Sequence, residues 1–369
     1  MQIAPLRAAT APPISVDPEV RELLGLNAPV AMGISGGKDS AAVAFATCDY
    51  LDNIGHTGPR LLIHSDLGAV EWRDSLPACE RLADHLGVEL AVVRRPAGGM
   101  MERWESRWKA NVDRYVNLKC VKMILPWSTP SMRFCTSELK TDVICRELVR
   151  RFPGRAILSV SGIRAEESAR RALAPISKPQ KKLENKTHGT RGLDWHSILT
   201  WSKADVFAYL RAKGFPLHEA YTAYGCSRVS CTFCIMAAAA DLRAAATCAD
   251  NAEIYGRMCE LEISSTFSFQ EGGWLSDVAP HLLTRDQLRR LPRAKSAAKL
   301  REKAESIIPA HLLYTKGWPT CIPTQAEAEL LCTVRQTVAA TLGIEVLYTE
   351  PAGLIGRYEE LQETKDNHR

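Results

Sequence analysis

Ala28-Pro29-Val30-Ala31-Met32-Gly33-Ile34-Ser35-Gly36-Gly37-Lys38-Asp39-Ser40 is the stretch that decides the fold. Its apolar first half runs straight into Ser35-Gly36-Gly37-Lys38-Asp39-Ser40, and an Ala-rich, helix-forming segment follows. The reading is strand, phosphate loop, helix. Two adjacent glycines let the backbone turn sharply and approach a ligand, while the first amides of the helix point into the loop. Lys38 adds a mobile positive charge, Ser35 and Ser40 add hydroxyl donors, and Asp39 is placed to position the loop or a magnesium ion. An anion belongs in such a loop; the plainer alternative is a Gly-Gly turn capped by Ser and Asp.

The spacing lacks the glycines that the two commoner phosphate loops, Gly-x4-Gly-Lys-Ser/Thr and Gly-x-Gly-x2-Gly, both require. Ser-Gly-Gly-x-Asp-Ser after a buried strand resembles instead the pyrophosphate loop (PP-loop) of the ATP pyrophosphatase superfamily. The resemblance implies that Ser35, Gly36, Gly37, Lys38, Asp39 and Ser40 bind ATP or a related adenine nucleotide with Mg2+. It also implies that Lys38 and Asp39 take part in chemistry on the α-phosphate side.

The 369 residues suffice for one large domain with an appendage or for two domains, and 46% hydrophobic content can fill a core. Lys and Arg exceed Asp and Glu by 47 to 42, an excess too mild to announce a nucleic-acid partner yet compatible with anionic ligands. No run of about 18 apolar residues is present to span a membrane. Met1–Val20 also lacks a basic region followed by a long apolar run, so a soluble, cytoplasmic protein with no membrane partner is expected. Twelve cysteines in that compartment stay reduced, and the seven that stand singly read as buried, inert thiols.

Beyond the loop, strands at Arg60–His64, Val88–Val93 and Arg155–Val160 alternate with helices at Glu71–Leu86 and from Thr136 or Ser137 to about Phe152. This is the pattern of right-handed crossovers in a parallel sheet. The expected fold is α/β, a doubly wound, mostly parallel sheet like that of the adenine nucleotide alpha-hydrolases, with a C-terminal helical appendage. Its expected parts are an N-terminal arm over 1–26, with Thr10-Ala11-Pro12-Pro13 leading to a short helix at Pro18–Leu24, a nucleotide-binding domain over 27–240 and a mostly helical region over 241–369. Ligands of such sheets gather at the carboxyl ends of the strands. Asp66 therefore shares the rim with the loop, and it reads equally as a catalytic, phosphate-side carboxylate and as a turn residue before Gly68. Arg164, after the next buried strand, falls on the same rim. Met100–Leu118 reads as an amphipathic helix with Trp104, Trp108 and Tyr115 in the core. Lys178–Arg191 reads as a polar surface loop, and Ser197–Leu199 as a short strand before a capped helix.

Gly162-Ile163-Arg164 with Glu167-Ser168, and Trp201 with Asp205-Val206 and Tyr209-Leu210, resemble the later motifs of the phosphoadenosine phosphosulfate reductase family. The resemblance covers roughly Ala28 to Cys234 and implies nucleotide binding by Ser35–Ser40 and Arg164. Sulfonucleotide reductases carry a catalytic cysteine in a C-terminal tail, whereas Lys365-Asp366-Asn367-His368-Arg369 has none, so the resemblance does not extend to the residue that carries the usual thiol reduction of activated sulfate.

Cys226-Ser227-Arg228-Val229-Ser230-Cys231-Thr232-Phe233-Cys234 packs three thiols into a short segment, and a CxxC turn points two thiolates at one metal. Cys135, at a helix start where a thiol ionises easily, is the expected fourth ligand, with Cys120 in reserve. Spacing alone leaves iron-sulfur and zinc open; relatives in the superfamily that use a four-iron cluster favour the former.

Farther on, Ala237–Ile263 looks helical, Leu282–Ser306 holds the strongest basic density, and a last helix runs to about Leu342, packing on the sheet or on a partner subunit of a homo-oligomer. The basic helix suits a nucleic-acid substrate as well as it suits a solvated face interleaved with Glu302 and Glu305. Three functions fit: ATP-dependent adenylation coupled to sulfur transfer, which would draw on a sulfur donor protein; sulfonucleotide reduction; and nucleotide or nucleic-acid binding with a structural metal.

Overall fold

The computed structural model of the protein describes residues 12–367. Residues 1–11 of the expected arm, Thr10 and Ala11 among them, and the last two residues of the tail lie outside the described residues. Alternating apolar positions build the sheet. Val30, Met32 and Ile34 enter one hydrophobic core and Ala31 another; Leu62 is opposed in the same way to Leu61 and Ile63, and Leu158 and Val160 to Ile157. Strands apolar on both faces need helices on both faces, which is the situation of a parallel sheet.

The strands are β1 Val30–Ile34, β2 Arg60–Asp66, β3 Leu90–Arg94, β4 Ala156–Val160, β5 Ser177–Pro179 and β6 Arg191–Trp195, in the order β3-β2-β1-β4-β6-β5. All pairings are parallel except that of β5 with β6. The helices Lys38–Asn53, Ser75–Leu86 and Lys203–Ala212 supply Phe45, Leu82 and Val206 to one core, while Asp142–Arg151 supplies Cys145 and Leu148 to the other. The sheet is doubly wound, as expected. From β1 the chain steps outward to β2 and β3, then returns to β4 on the other side of β1. That reversal is the switch point where such sheets open a crevice, and the segments beginning at Ser35 and Ser161 leave the sheet there.

Several expectations are corrected. Ser197–Leu199 is a turn; the strand is β6 just before it, where Arg191 and Asp194 mask the fully buried Trp195. Lys178–Arg191 is not one loop, because β5 starts it as a polar edge strand and a 3-10 turn at Lys181–Leu183 buries Leu183. Ala237–Ile263 divides into helices Ala239–Ala246 and Ala252–Ser265, and a further helix, Pro351–Asn367, follows Gln325–Leu342. Among the described residues no helix is long and apolar enough to cross a membrane.

The chain forms two compact units, one from residues up to Met100 with Pro130–Asn251, the other from Met101–Thr129 with Ala252 onward. The Met100–Val116 helix, inside the stretch assigned by sequence to nucleotide binding, thus contributes to a second core where Tyr115 joins Leu331, Val338, Leu354 and Tyr358. Trp104 meets Trp127 edge-on in that unit, with ring centroids 5.3 Å apart.

Trp195 is fully buried and donates its indole N–H to the Ser15 carbonyl at 2.7 Å. Trp195→Ala should therefore cost about 3–5 kcal/mol in urea unfolding, the usual loss for an aromatic side chain removed from a core. A loss below about 1 kcal/mol would place the residue outside the core.

Candidate nucleotide site and cysteine segment

Backbone constraints set the rim of the β1/β4 crevice. Gly36 has φ +75°, and a Cβ there would meet the Ser75 carbonyl oxygen at 3.0 Å and the His218 ring at 3.1 Å. Gly162, just past β4, runs so close to the loop that a Cβ would lie 2.6 Å from the Asp39 carbonyl oxygen. The Ser40 hydroxyl closes the loop, donating to the Gly37 carbonyl at 2.7 Å and accepting the Ser35 amide at 3.2 Å. Gly37 caps the Lys38–Asn53 helix without a side chain, so the cap itself occupies none of the helix's first amides.

Charge converges on Asp39, whose carboxylate binds Lys38 Nζ at 2.7 Å and Arg164 Nε at 2.7 Å. Arg164 Nη1 also reaches Glu166 at 2.8 Å, and Lys38 and Arg164 are only 5% and 4% exposed. Burial works against the Arg164 charge, and the Asp39 and Glu166 carboxylates outweigh it and raise the pKa. Two sequestered cations share one inner carboxylate, Glu166 being mostly exposed, which is a setting ready for an anion. Asp66 is engaged differently: one oxygen accepts the Gly68 amide at 2.7 Å and the other binds Arg94 at 2.7 Å.

Three residues that sequence reasoning passed over shape the loop. The Tyr221 hydroxyl accepts the amides of Lys38 at 3.4 Å and Val229 at 3.1 Å, and Lys38 Nζ lies 5.7 Å from the centre of the Tyr221 ring. A phenol oxygen thus takes an amide at the helix N-terminus, where an anion's oxygen would bind. His64 donates from Nδ1 to the Ile34 carbonyl and from Nε2 to the Glu71 carboxylate, both at 3.1 Å. A ring donating from both nitrogens is an imidazolium. Burial alone pushes its pKa down, but hydrogen bonds with Cys79 and Glu71 together overcome that and push it up to about 10. His218 is the neutral counterpart: its Nδ1 accepts the Ala220 amide at 3.0 Å, and burial lowers its pKa.

Cys231 has Cys234 and Cys135 within electrostatic reach, along with Lys140 and Glu71; burial, then Cys234, pushes its thiol up to about 12. Cys226 has a different electrostatic environment. Its charged neighbours are Asp241 and Cys248, and Asp241 clamps Ser227 through the amide at 2.7 Å and the hydroxyl at 2.8 Å. Cys120 sits in the core of the second unit, with its thiol 3.8 Å from Asn111 Oδ1. Among the described residues no three His, Cys, Asp or Glu side chains stand close enough to hold a metal ion. The surroundings of the CxxC turn nevertheless fit a thiolate-bound group: the Met236 amide points at Cys234 Sγ at 3.4 Å, and the hydroxyl of Thr232, which follows Cys231 in sequence, is buried and has no hydrogen-bond partner among the described residues.

The phosphoadenosine phosphosulfate reductase domain matches the chain over residues 29–237. No curated protein matches it. Among solved structures the chain is similar to the U34-tRNA thiolase NcsA from Methanococcus maripaludis with its 4Fe-4S cluster, at 15% identity and a TM-score of 0.37, over 71% of this chain and 75% of that one.

Tyr221→Phe removes the hydroxyl that occupies the Lys38 amide and should tighten ATP binding several-fold in calorimetric titration, a gain of about 1 kcal/mol for one freed hydrogen-bonding group. Weaker binding would mean that the phenol supports the ligand. His64 sets a pH dependence. Its pKa is about 10 in the fold against 6.5 for an ordinary imidazole, so its stabilisation is full below pH 6.5 and disappears as pH rises through about 10. Urea midpoints should fall across that window, and the His64→Gln variant should lose this component of the slope.

Proposed function

Because the chain belongs to the phosphoadenosine phosphosulfate reductase domain family, we propose that it is a cytoplasmic PP-loop enzyme that activates an acceptor oxygen with ATP for sulfur transfer. The observation that carries this reading is the meeting of Lys38 and Arg164 on Asp39, at a helix N-terminus in the β1/β4 crevice. The nucleotide phosphates would lie along Ser35–Ser40 with Mg2+. The acceptor oxygen attacks the α-phosphorus, the new P–O bond forms as the α–β anhydride breaks, and pyrophosphate leaves with the bonding electrons. Lys38 and the loop amides stabilise the charge that grows on the phosphate oxygens. Asp39 keeps Lys38 and Arg164 aimed at that charge, and Asp66 takes part only by giving up Arg94.

Cys135, Cys231 and Cys234 would hold an iron-sulfur cluster, or zinc in the alternative, with Cys226 as fourth ligand if Asp241 released its segment. Such a cluster would supply a site for bound sulfide, which a sulfur donor protein would replenish. The buried Thr232 hydroxyl and the Met236 amide are the groups ready to donate to sulfur there.

Pyrophosphate release from ATP, measured beside sulfite release from a sulfonucleotide, tests the reading. Lys38→Ala and Arg164→Ala should each lower kcat/KM for pyrophosphate release by about 100-fold or more, the usual loss for one charge-stabilising donor. Sulfite release without ATP would replace adenylation with reduction. Iron and sulfide content should fall in the Cys135→Ser, Cys231→Ser and Cys234→Ser proteins, and full content in all three would remove those thiols from the centre.

A further inference from the structure

The second unit presents a surface that the nucleotide loop does not use. Its Arg285–Ser306 helix turns Leu291, Ala294, Ala298, Arg301 and Glu305 inward. Arg285, Arg293, Lys299 and Lys303 stand exposed on the outward side, with Leu288 and Leu300 between them. The acids that interleave with these cations in sequence are engaged elsewhere. Glu305 is buried against Arg301 at 3.0 Å, Glu302 also pairs with Arg301 at 3.4 Å, and Asp286 binds Arg289 and Arg290 at 2.6 Å each. Among the described residues, Arg285, Arg293, Lys299 and Lys303 have no carboxylate partner. From the first to the last of them the helix rises about 27 Å, at about 1.5 Å per residue.

We propose that this face binds a nucleic acid through its phosphates. A row of cations without carboxylate partners along one face of a helix that holds Pro292 in its interior is complementary to a row of phosphodiesters, and arginine forks match phosphate oxygens in pairs. An anionic membrane fits less well, because the helix's apolar side is packed inside the unit and only isolated leucines face outward. The binding stands on this helix alone and does not rest on the sulfur-transfer reading.

Fluorescence anisotropy of a labelled RNA hairpin and a labelled DNA duplex, titrated with the full chain from about 50 to about 200 mM salt, measures the binding. Four phosphate contacts give a slope of log affinity against log salt of about −3 to −4. Replacing Arg285, Arg293, Lys299 and Lys303 together by Ala removes exposed side chains only. It should weaken binding at least about tenfold at low salt and flatten the slope, with ATP binding and the melting curve unchanged. Absent binding at low salt, unchanged affinity in the variant, or capture by phosphatidylserine vesicles in place of both nucleic acids would each overturn the proposal. Nucleic-acid binding with the expected slope, in a protein that releases no pyrophosphate from ATP, would uphold this surface and sink the activation reading.

Discussion

One shared carboxylate holds the crevice of the first unit together. Lys38 and Arg164 reach Asp39 from the ends of different strands, β1 and β4, and neither cation is open to water. Two buried positive charges side by side would repel each other, and one left without its carboxylate would carry an uncompensated desolvation cost of several kcal/mol. The strand order brings the two loops to one crevice, and the salt bridges fix their separation. The close passage of Gly162 over the Asp39 backbone shows how tightly that separation is set.

The central sheet was legible because its signals are local. Val30–Ile34 alternates between two cores, and the glycines that follow allow a turn that other residues resist. β6 escaped detection because Trp195, its one large buried residue, follows Asp194 in a strand that also holds Arg191 and Gly192, leaving no run of apolar residues. Tyr221 and His64 escaped for a different reason. Each is an isolated residue whose importance arises from partners far away in the chain, Lys38 for one, Ile34 and Glu71 for the other. The assignment of the Met100–Val116 helix to the second unit has the same origin: its pattern shows that one face is buried, but not against which core.

The cysteine segment shows how far spacing can be trusted. Two residues between Cys231 and Cys234 fix a turn, and the Met236 amide on Cys234 follows from that turn. Four residues between Cys226 and Cys231 leave the chain free to choose. Here Gly225 takes φ +70° and Asp241 of the Ala239–Ala246 helix clamps Ser227, so the residue after Cys226 is tied to that helix.

The Tyr221 hydroxyl touches the phosphate loop on one side and Val229, two residues from Cys231, on the other. A ligand oxygen that takes the Lys38 amide has to displace this oxygen, and the Val229 amide then loses its acceptor unless the tyrosine follows it. Tyr221 therefore links the loop to the segment that bears the thiols. For any ligand of the loop, thermodynamic reciprocity requires the reverse as well: whatever rearranges Val229 would alter that ligand's affinity by the same factor with which the ligand would bias the rearrangement. Two segments of the unit separated by almost two hundred residues of sequence share a single proton-bearing oxygen.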